Sequence, residues 1–239
     1  MKVVLSVGGS VLHAGRDPDR VAAYAAAIDD LVAAGCTVGV VTGGGRTARA
    51  YIDAGRELGA NEIELDELGI AITRINARLL ITALGEQVAP TPARTYAQAR
   101  ERLGTYDVSI MGGTSAGHTT DAVAAALAEY IDAELLVLAT SVPGVFDADP
   151  NEEPRAARFS QLTPAELLDV VADLEMNAGS SAPVDLLGAK IVERAALRTL
   201  VVDGSDPPAV VTAVLTGEHD GTDIVPNSAE TPPSLWPEV

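Results

Sequence analysis

Val38-Gly39-Val40-Val41-Thr42-Gly43-Gly44-Gly45-Arg46 is an apolar run that ends abruptly in three glycines. A short run of this kind reads as a buried parallel strand, and glycines at its exit let backbone N–H groups approach an anion with no Cβ in the way. The pattern occurs twice more. Val3-Val4-Leu5-Ser6-Val7 runs into Gly8-Gly9-Ser10, and Val108-Ser109-Ile110-Met111 runs into Gly112-Gly113-Thr114. Exits of parallel strands share one edge of a sheet, and a helix opening just beyond adds the positive end of its dipole. Three such loops can surround a polyphosphate. None matches G-x-G-x-x-G or G-x-x-x-x-G-K-[ST], so the dinucleotide and P-loop signatures do not apply.

Outward from these loops the chain alternates. Apolar spacing predicts helices over Arg20–Ala34, Arg46–Leu58, Leu65–Leu84, Tyr96–Leu103 and Asp121–Ile131, with strands at Thr37–Thr42, Val88–Pro90, Asp107–Met111 and Leu135–Thr140. Thr163-Pro164-Ala165-Glu166 is a capping box with proline at the first helical position, opening a helix to about Leu174. Polar Ala178–Ser181 follows, then a helix near Leu186–Leu197, a strand Thr199–Val202, a helix Pro208–Leu215 and a last strand Thr222–Val225. This order argues for a doubly wound α/β fold with a mainly parallel open sheet. Residues 1–225 read as one domain, with no internal repeat and no separating linker. Residues 226–239, rich in Pro, Ser, Thr and Glu, read as a flexible tail, with Trp236 exposed or docked on a neighbouring subunit.

The 239 residues are 47% hydrophobic, enough to bury a substantial core. No apolar stretch approaches the roughly 20 residues of a membrane helix, and Met1-Lys2-Val3-Val4 enters a strand directly, so a cytoplasmic setting is expected. Cys36 is the single cysteine and reads as a small buried residue, leaving no thiolate cluster for a metal. The net charge is −18, which disfavours nucleic acid as a partner. It also predicts self-repulsion that molar salt would relieve, hence a salt-adapted protein whose acidic side chains lie on its surface. Lysine occurs only at Lys2 and Lys190, and the other basic residues are arginine. A chain that otherwise avoids lysine has retained Lys190.

The richest polar stretch is the third glycine loop, Gly112-Gly113-Thr114-Ser115-Ala116-Gly117-His118-Thr119-Thr120-Asp121, which leads into an alanine-rich helix. Hydroxyls and free N–H groups at a helix N-terminus suit an anion. Simple capping by Thr120-Asp121 is the plainer reading, and it leaves the preceding polar loop unexplained.

Taken together, Gly8–Leu12, Gly43–Ile52, Gly69–Ala77, Met111–Asp121, Gly144–Pro150 and the closing Gly221-Thr222-Asp223-Ile224 resemble the amino acid kinase family, and within it the archaeal-type uridylate kinases. The resemblance runs in order from residue 1 to about 225. It implies a three-layer αβα sandwich and transfer of the γ-phosphoryl of ATP to UMP in pyrimidine nucleotide biosynthesis. It also implies Mg²⁺ held mainly by the phosphates, and a homo-oligomer, by analogy a hexamer. The N-terminal part would bind mainly the acceptor and the C-terminal part mainly ATP.

Position by position, the resemblance implies that Gly9, Ser10 and Gly45 face the ATP phosphates while Gly44 approaches the acceptor phosphate. Arg49 would reach the phosphates near the transfer point. Asp66 and the loop Thr114, Ser115, Ala116, Gly117, His118, Thr119 and Thr120 would hold UMP. Thr140, Ser141, Phe146 and Asp149 would form the adenosine side. Asp121 would orient cationic groups, and Lys190 would meet the transferred phosphoryl group.

From the residues alone, plainer roles stay open. Arg49 reads equally as a solvated helix residue, Asp66 as an N-cap, Phe146 as core and His118 as a loop hydrogen-bonder, while His13 and His219 read as surface residues. Two positions depart from the family pattern: Ser6 replaces a common strand-one lysine, and Pro143 replaces a common acidic residue. Kinases of the same fold acting on isopentenyl phosphate, carbamate or acetylglutamate are alternatives, as is a non-catalytic ATP-binding oxyanion store.

Overall fold

The structure, a computed structural model, describes residues 1–12, 17–150, 152–174, 184–227 and 232–236, and 175–176 in backbone only. His13 and the Ala178–Ser181 stretch lie outside the described residues. In chain order the elements are β1 (Lys2–Val7), α1 (Gly9–Leu12), α2 (Pro18–Ala33), β2 (Thr37–Thr42), α3 (Gly45–Glu57), α4 (Glu62–Ala83), α5 (Tyr96–Leu103) and β3 (Val108–Met111). There follow α6 (Thr120–Ile131), β4 (Leu135–Thr140), β5 (Gln161–Leu162), α7 (Pro164–Met176), α8 (Leu186–Ala195), β6 (Thr199–Asp203), α9 (Pro207–Thr216) and β7 (Thr222–Ile224).

These strands form one sheet in the order β3-β2-β1-β4-β6-β7-β5, parallel throughout except where β7 runs antiparallel to β6. The chain first builds outward from β1 to β2 and β3, then crosses back to place β4 on the other side of β1. The order therefore reverses at β1/β4, and the crevice beyond the strand exits at such a switch point is where doubly wound sheets bind ligands.

Alternation along β1 separates the two cores. Val3, Leu5 and Val7 pack with α2, the inner face of α4 and α9, whereas Val4 packs with α6, α7 and α8. Side chains two apart share a face, so Ser6 is directed to the α6 side, where its hydroxyl meets Asp121. Helices thus cover both faces, the three layers expected. Cys36 is buried, and among the described residues the acidic residues lie at the surface or half-buried, with the Asp121 carboxyl turned inward. No helix among them is long and apolar enough to cross a membrane.

Three local expectations change, and the buried face of α4 becomes visible. Val88–Pro90 makes only one isolated bridge to β3, at Val88, and Ala93 a second, because Pro90 and Pro92 have no N–H to extend a ladder. Helix α4 starts three residues earlier than expected, at an Asn61/Glu64 capping box. Of the face Leu68–Ile72–Ile75–Leu79, only Ile72 is buried, while the helix turns Leu65, Asn76, Ala77 and Leu80 inward. Trp236 docks on its own chain: its Nε1 donates to the Val214 carbonyl at 2.8 Å, and the Arg198 guanidinium lies 4.6 Å from its ring. That part of the tail is pinned.

Candidate active site

The exits of β1 and β2 are in backbone contact. Gly43 N–H donates to the Val7 carbonyl, and a Cβ on Gly9 would lie 2.0 Å from the Gly45 nitrogen. Only glycine permits this approach, and Gly45 itself has a φ of +62°. The third loop is clasped from the side. Gly113 N–H donates to Thr73 Oγ1 at 2.7 Å, the Thr73 carbonyl accepts from Thr42 Oγ1 at 2.9 Å, and buried Asn76 donates from Nδ2 to the Gly43 carbonyl at 2.8 Å. Helix α4 therefore holds the second and third glycine loops at fixed separation. Further out, Gly117 N–H donates to Asp66 Oδ2 at 2.7 Å.

Between these groups lies a cleft of about 320 Å³. It brings together Gly9, Ser10, Gly44, Gly45, Arg49, Asp66, Ser115, His118, Thr119 and Thr120, along with Gly69, Ile70 and Thr73. Arg49 crosses from α3 toward α1, with its Nη2 3.4 Å from Ser10 Oγ. Thr114, Ala116 and Gly117 belong to the same loop without lining the cleft, and Thr114 Oγ1 lies 3.4 Å from the Tyr96 hydroxyl. Asp66 is not an N-cap, since Asn61 has that role; its carboxylate instead ties the third loop to α4. His118 is exposed, and its backbone N–H closes a turn on Ser115. His219 is not a free surface residue: it is half-buried, and its Nδ1 accepts from Gly221 N–H.

Sequence reasoning left Thr73 and Asn76 without a role. The signal was present, because Asn76 is a polar residue on the buried side of an otherwise apolar helix face, and buried amides need partners.

The remaining named residues stand outside the cleft. Thr140 turns its hydroxyl back onto Val142, donating to its carbonyl and accepting its N–H, while Ser141 is exposed. Phe146 is half-buried and bridges Arg158 through backbone, so the apolar anchor of that loop is Val145. The Asp149 carbonyl accepts from the N–H groups of Glu152 and Glu153. This loop still leaves β4 next to the first glycine loop, since Gly8 N–H donates to the Ala139 carbonyl at 3.1 Å. Lys190 is exposed on α8.

Asp121 sits in the first turn of α6, whose N-cap is Thr119 rather than Thr120. The Thr119 hydroxyl also donates to Asp185, the N-cap of α8, so the two helix starts are latched together. Burial pushes the Asp121 carboxyl up to about 6; the Ser6 hydroxyl donating at 2.8 Å opposes the rise, and the Asp185 carboxylate adds to it. With serine at position 6, no ammonium at that position offsets the burial. A folded-state value above the unfolded 3.8 means that the native protein holds a proton the unfolded chain has released. Stability is then expected to fall as pH rises from about 4 to 6, by up to about 3 kcal/mol, and to level off above. Asp121→Asn should remove that fall. Melting temperatures of both proteins between pH 4 and 8 check it, and parallel curves would refute it.

The geometry described has known counterparts. Residues 1–203 match the model of the amino acid kinase family. This chain belongs to the amino acid kinase family. It is 59% identical over 236 residues to a uridylate kinase of Halobacterium salinarum, covering 99% of this chain and 98% of that one. With a uridylate kinase of Haloarcula marismortui the identity is 60% over 228 residues, 95% and 100% of the respective chains. Among solved structures, uridylate kinase from Archaeoglobus fulgidus superposes with a TM-score of 0.84 at 43% identity, covering 94% of this chain and all of the other. The β1–β4 switch point and the glycine loops thus lie within the 1–203 region that matches the amino acid kinase family.

Proposed function

We propose that this chain is a uridylate kinase, in which a phosphate oxygen of UMP attacks the γ-phosphorus of ATP and ADP departs, leaving UDP. The observation that carries this reading is the clasp between Gly117 N–H and Asp66, which folds the polar third loop over the cleft opposite two backbone-paired glycine loops. One wall offers N–H groups and a guanidinium to phosphate; the other offers hydroxyls and a carboxylate to a nucleoside. The uridylate kinases that match nearly end to end support the same acceptor over the other kinases of this fold.

Phosphoryl transfer leaves little covalent work to a protein, so rate comes from in-line placement and neutralised charge. Gly9, Ser10 and Gly45 hold the ATP phosphates, Gly44 the UMP phosphate, and Arg49 spans both. The loop with Thr140, Ser141, Phe146 and Asp149, which leaves β4 beside the first glycine loop, takes the adenosine. The cleft's donors are N–H, hydroxyl and guanidinium groups, chemistry that fits phosphate rather than a bare divalent cation. Mg²⁺, which the kinase reading implies, would be held by the nucleotide's phosphates and would neutralise their charge there.

Exposed Leu68, Ile75 and Leu79 on α4 support a homo-oligomer, by analogy a hexamer. The charge of −18 and the haloarchaeal relatives support a salt-adapted protein.

The test is ADP release with UMP, CMP, AMP and acetylglutamate as acceptors. kcat/KM for UMP should exceed that for each of the others by at least about tenfold, because a base that leaves buried partners unpaired loses transition-state binding. Equal turnover of AMP and UMP would sink the assignment.

A further inference from the structure

Asn76 is the one polar residue among those that α4 buries, with 3% of its surface exposed. Its Nδ2 donates to the Gly43 carbonyl at 2.8 Å and reaches the Gly44 carbonyl at 3.4 Å. Both amide protons are thus spent on successive peptide groups. A trans peptide sets its N–H opposite its C=O. Held by their carbonyls, the two peptides therefore turn the N–H groups of Gly44 and Gly45 away from Asn76, which does not line the cleft although all three glycines do. Among the described residues neither N–H has an acceptor. Gly44 is right-handed (φ −86°, ψ −31°) and Gly45 left-handed (φ +62°), the alternation that makes successive N–H groups converge on an anion. Three glycines in a row favour no single backbone conformation, so this nest needs support from outside the loop.

We propose that Asn76 is a positioning residue for phosphoryl transfer: its amide holds the Gly43 and Gly44 carbonyls from behind and so aims the N–H groups of Gly44 and Gly45 at the phosphates. This role rests on the kinase reading for the step it serves, whereas the nest's hold on phosphate is the same for any acceptor. Donors fixed before the reaction need no reorganisation as charge moves, and a peptide free to turn would lose that advantage. Asparagine suits the place because it brings two uncharged donors on a short stem.

Asn76→Leu keeps the volume and removes both donors, while Asn76→Asp keeps the shape and sets a carboxylate against two carbonyl oxygens. With circular dichroism unchanged, both should lower kcat for ADP release with UMP by roughly 10²-fold. By calorimetry UMP should bind at least about tenfold more weakly, and uridine, which lacks the phosphate, within about twofold of the parent. Burial raises the pKa of the new carboxyl, and its protonated form donates once. The rate of Asn76→Asp relative to the parent should therefore climb several-fold as pH falls from about 8 to about 6, and that of Asn76→Leu should stay flat. Asn76→Ser, smaller and still a donor, covers a failure of either to fold, with an expected loss of about tenfold in kcat. Parental kcat in Asn76→Leu or Asn76→Ser overturns the proposal. So does a loss confined to Asn76→Asp, since the added charge alone would account for it, and so does equal weakening of uridine and UMP, the mark of a merely structural side chain. If the parent itself turns over no UMP, the kinase reading fails, and inorganic triphosphate decides the role separately: binding at least about tenfold weaker in Asn76→Leu supports it, and equal binding overturns it.

Discussion

Gly9→Ala is expected to lower kcat by roughly 10³-fold while the protein stays folded. The added Cβ would stand 2.0 Å from the Gly45 nitrogen, 2.6 Å from Gly45 Cα and 2.7 Å from the Gly43 carbonyl carbon. All three are backbone atoms, so no side chain can swing aside. The exits of β1 and β2 would have to part by more than 1 Å, and a misplacement of that size costs about 10²-fold in an oriented reaction. On the roles proposed above, it parts Gly9 from Gly45, which share the ATP phosphates, and shifts Gly44 with the acceptor phosphate, which compounds the loss. Overpacking of this kind costs about 1–3 kcal/mol, seen as a melting temperature lower by roughly 5 °C. The measurement is ADP release together with thermal melting. Wild-type kcat in Gly9→Ala would show that the two loops do not act as one phosphate cradle.

The parts of this molecule that sequence made legible are those set by short-range rules. Runs such as Val38–Thr42 can only be buried strands, and glycines at three strand exits locate one edge of the sheet. Asp66 was legible as a cleft residue only through resemblance, because its partner Gly117 is 51 positions away and pairs with it through backbone. Thr73 and Asn76 escaped for the same reason: what they hold is the peptide groups of Gly113 and Gly43, and peptide groups carry no sequence signature. Trp236 could not be placed because a tail's docking site, here Val214 and Arg198, is decided by tertiary packing rather than local pattern.

Lys190→Ala is expected to lower kcat by about 10²-fold, with UMP affinity little changed. Lys190 lies on α8 and is exposed, so its reach toward the cleft depends on α8 keeping its place against α6. That place is fixed: Asp185 caps α8 through Gly188 N–H, accepts the Thr119 hydroxyl, and Gly188 abuts the start of α6. Lys190 thus stands on α8 just beyond the latch between the third glycine loop and that helix. If it meets charge that grows on the moving phosphoryl group, its loss weakens the transition state more than the ground state, and kcat falls while KM holds. Removal of one preorganised electrostatic donor typically costs 10²- to 10³-fold. Lys190→Arg should recover only part of the rate, since a planar fork does not occupy the place of a compact ammonium. Arginine serves at nearly every other basic position of this chain, so at a merely solvated site the exchange would be silent. Steady-state kinetics of both variants decide the matter. Full activity in both would return Lys190 to the surface and leave Arg49 and the glycine loops to carry the phosphates.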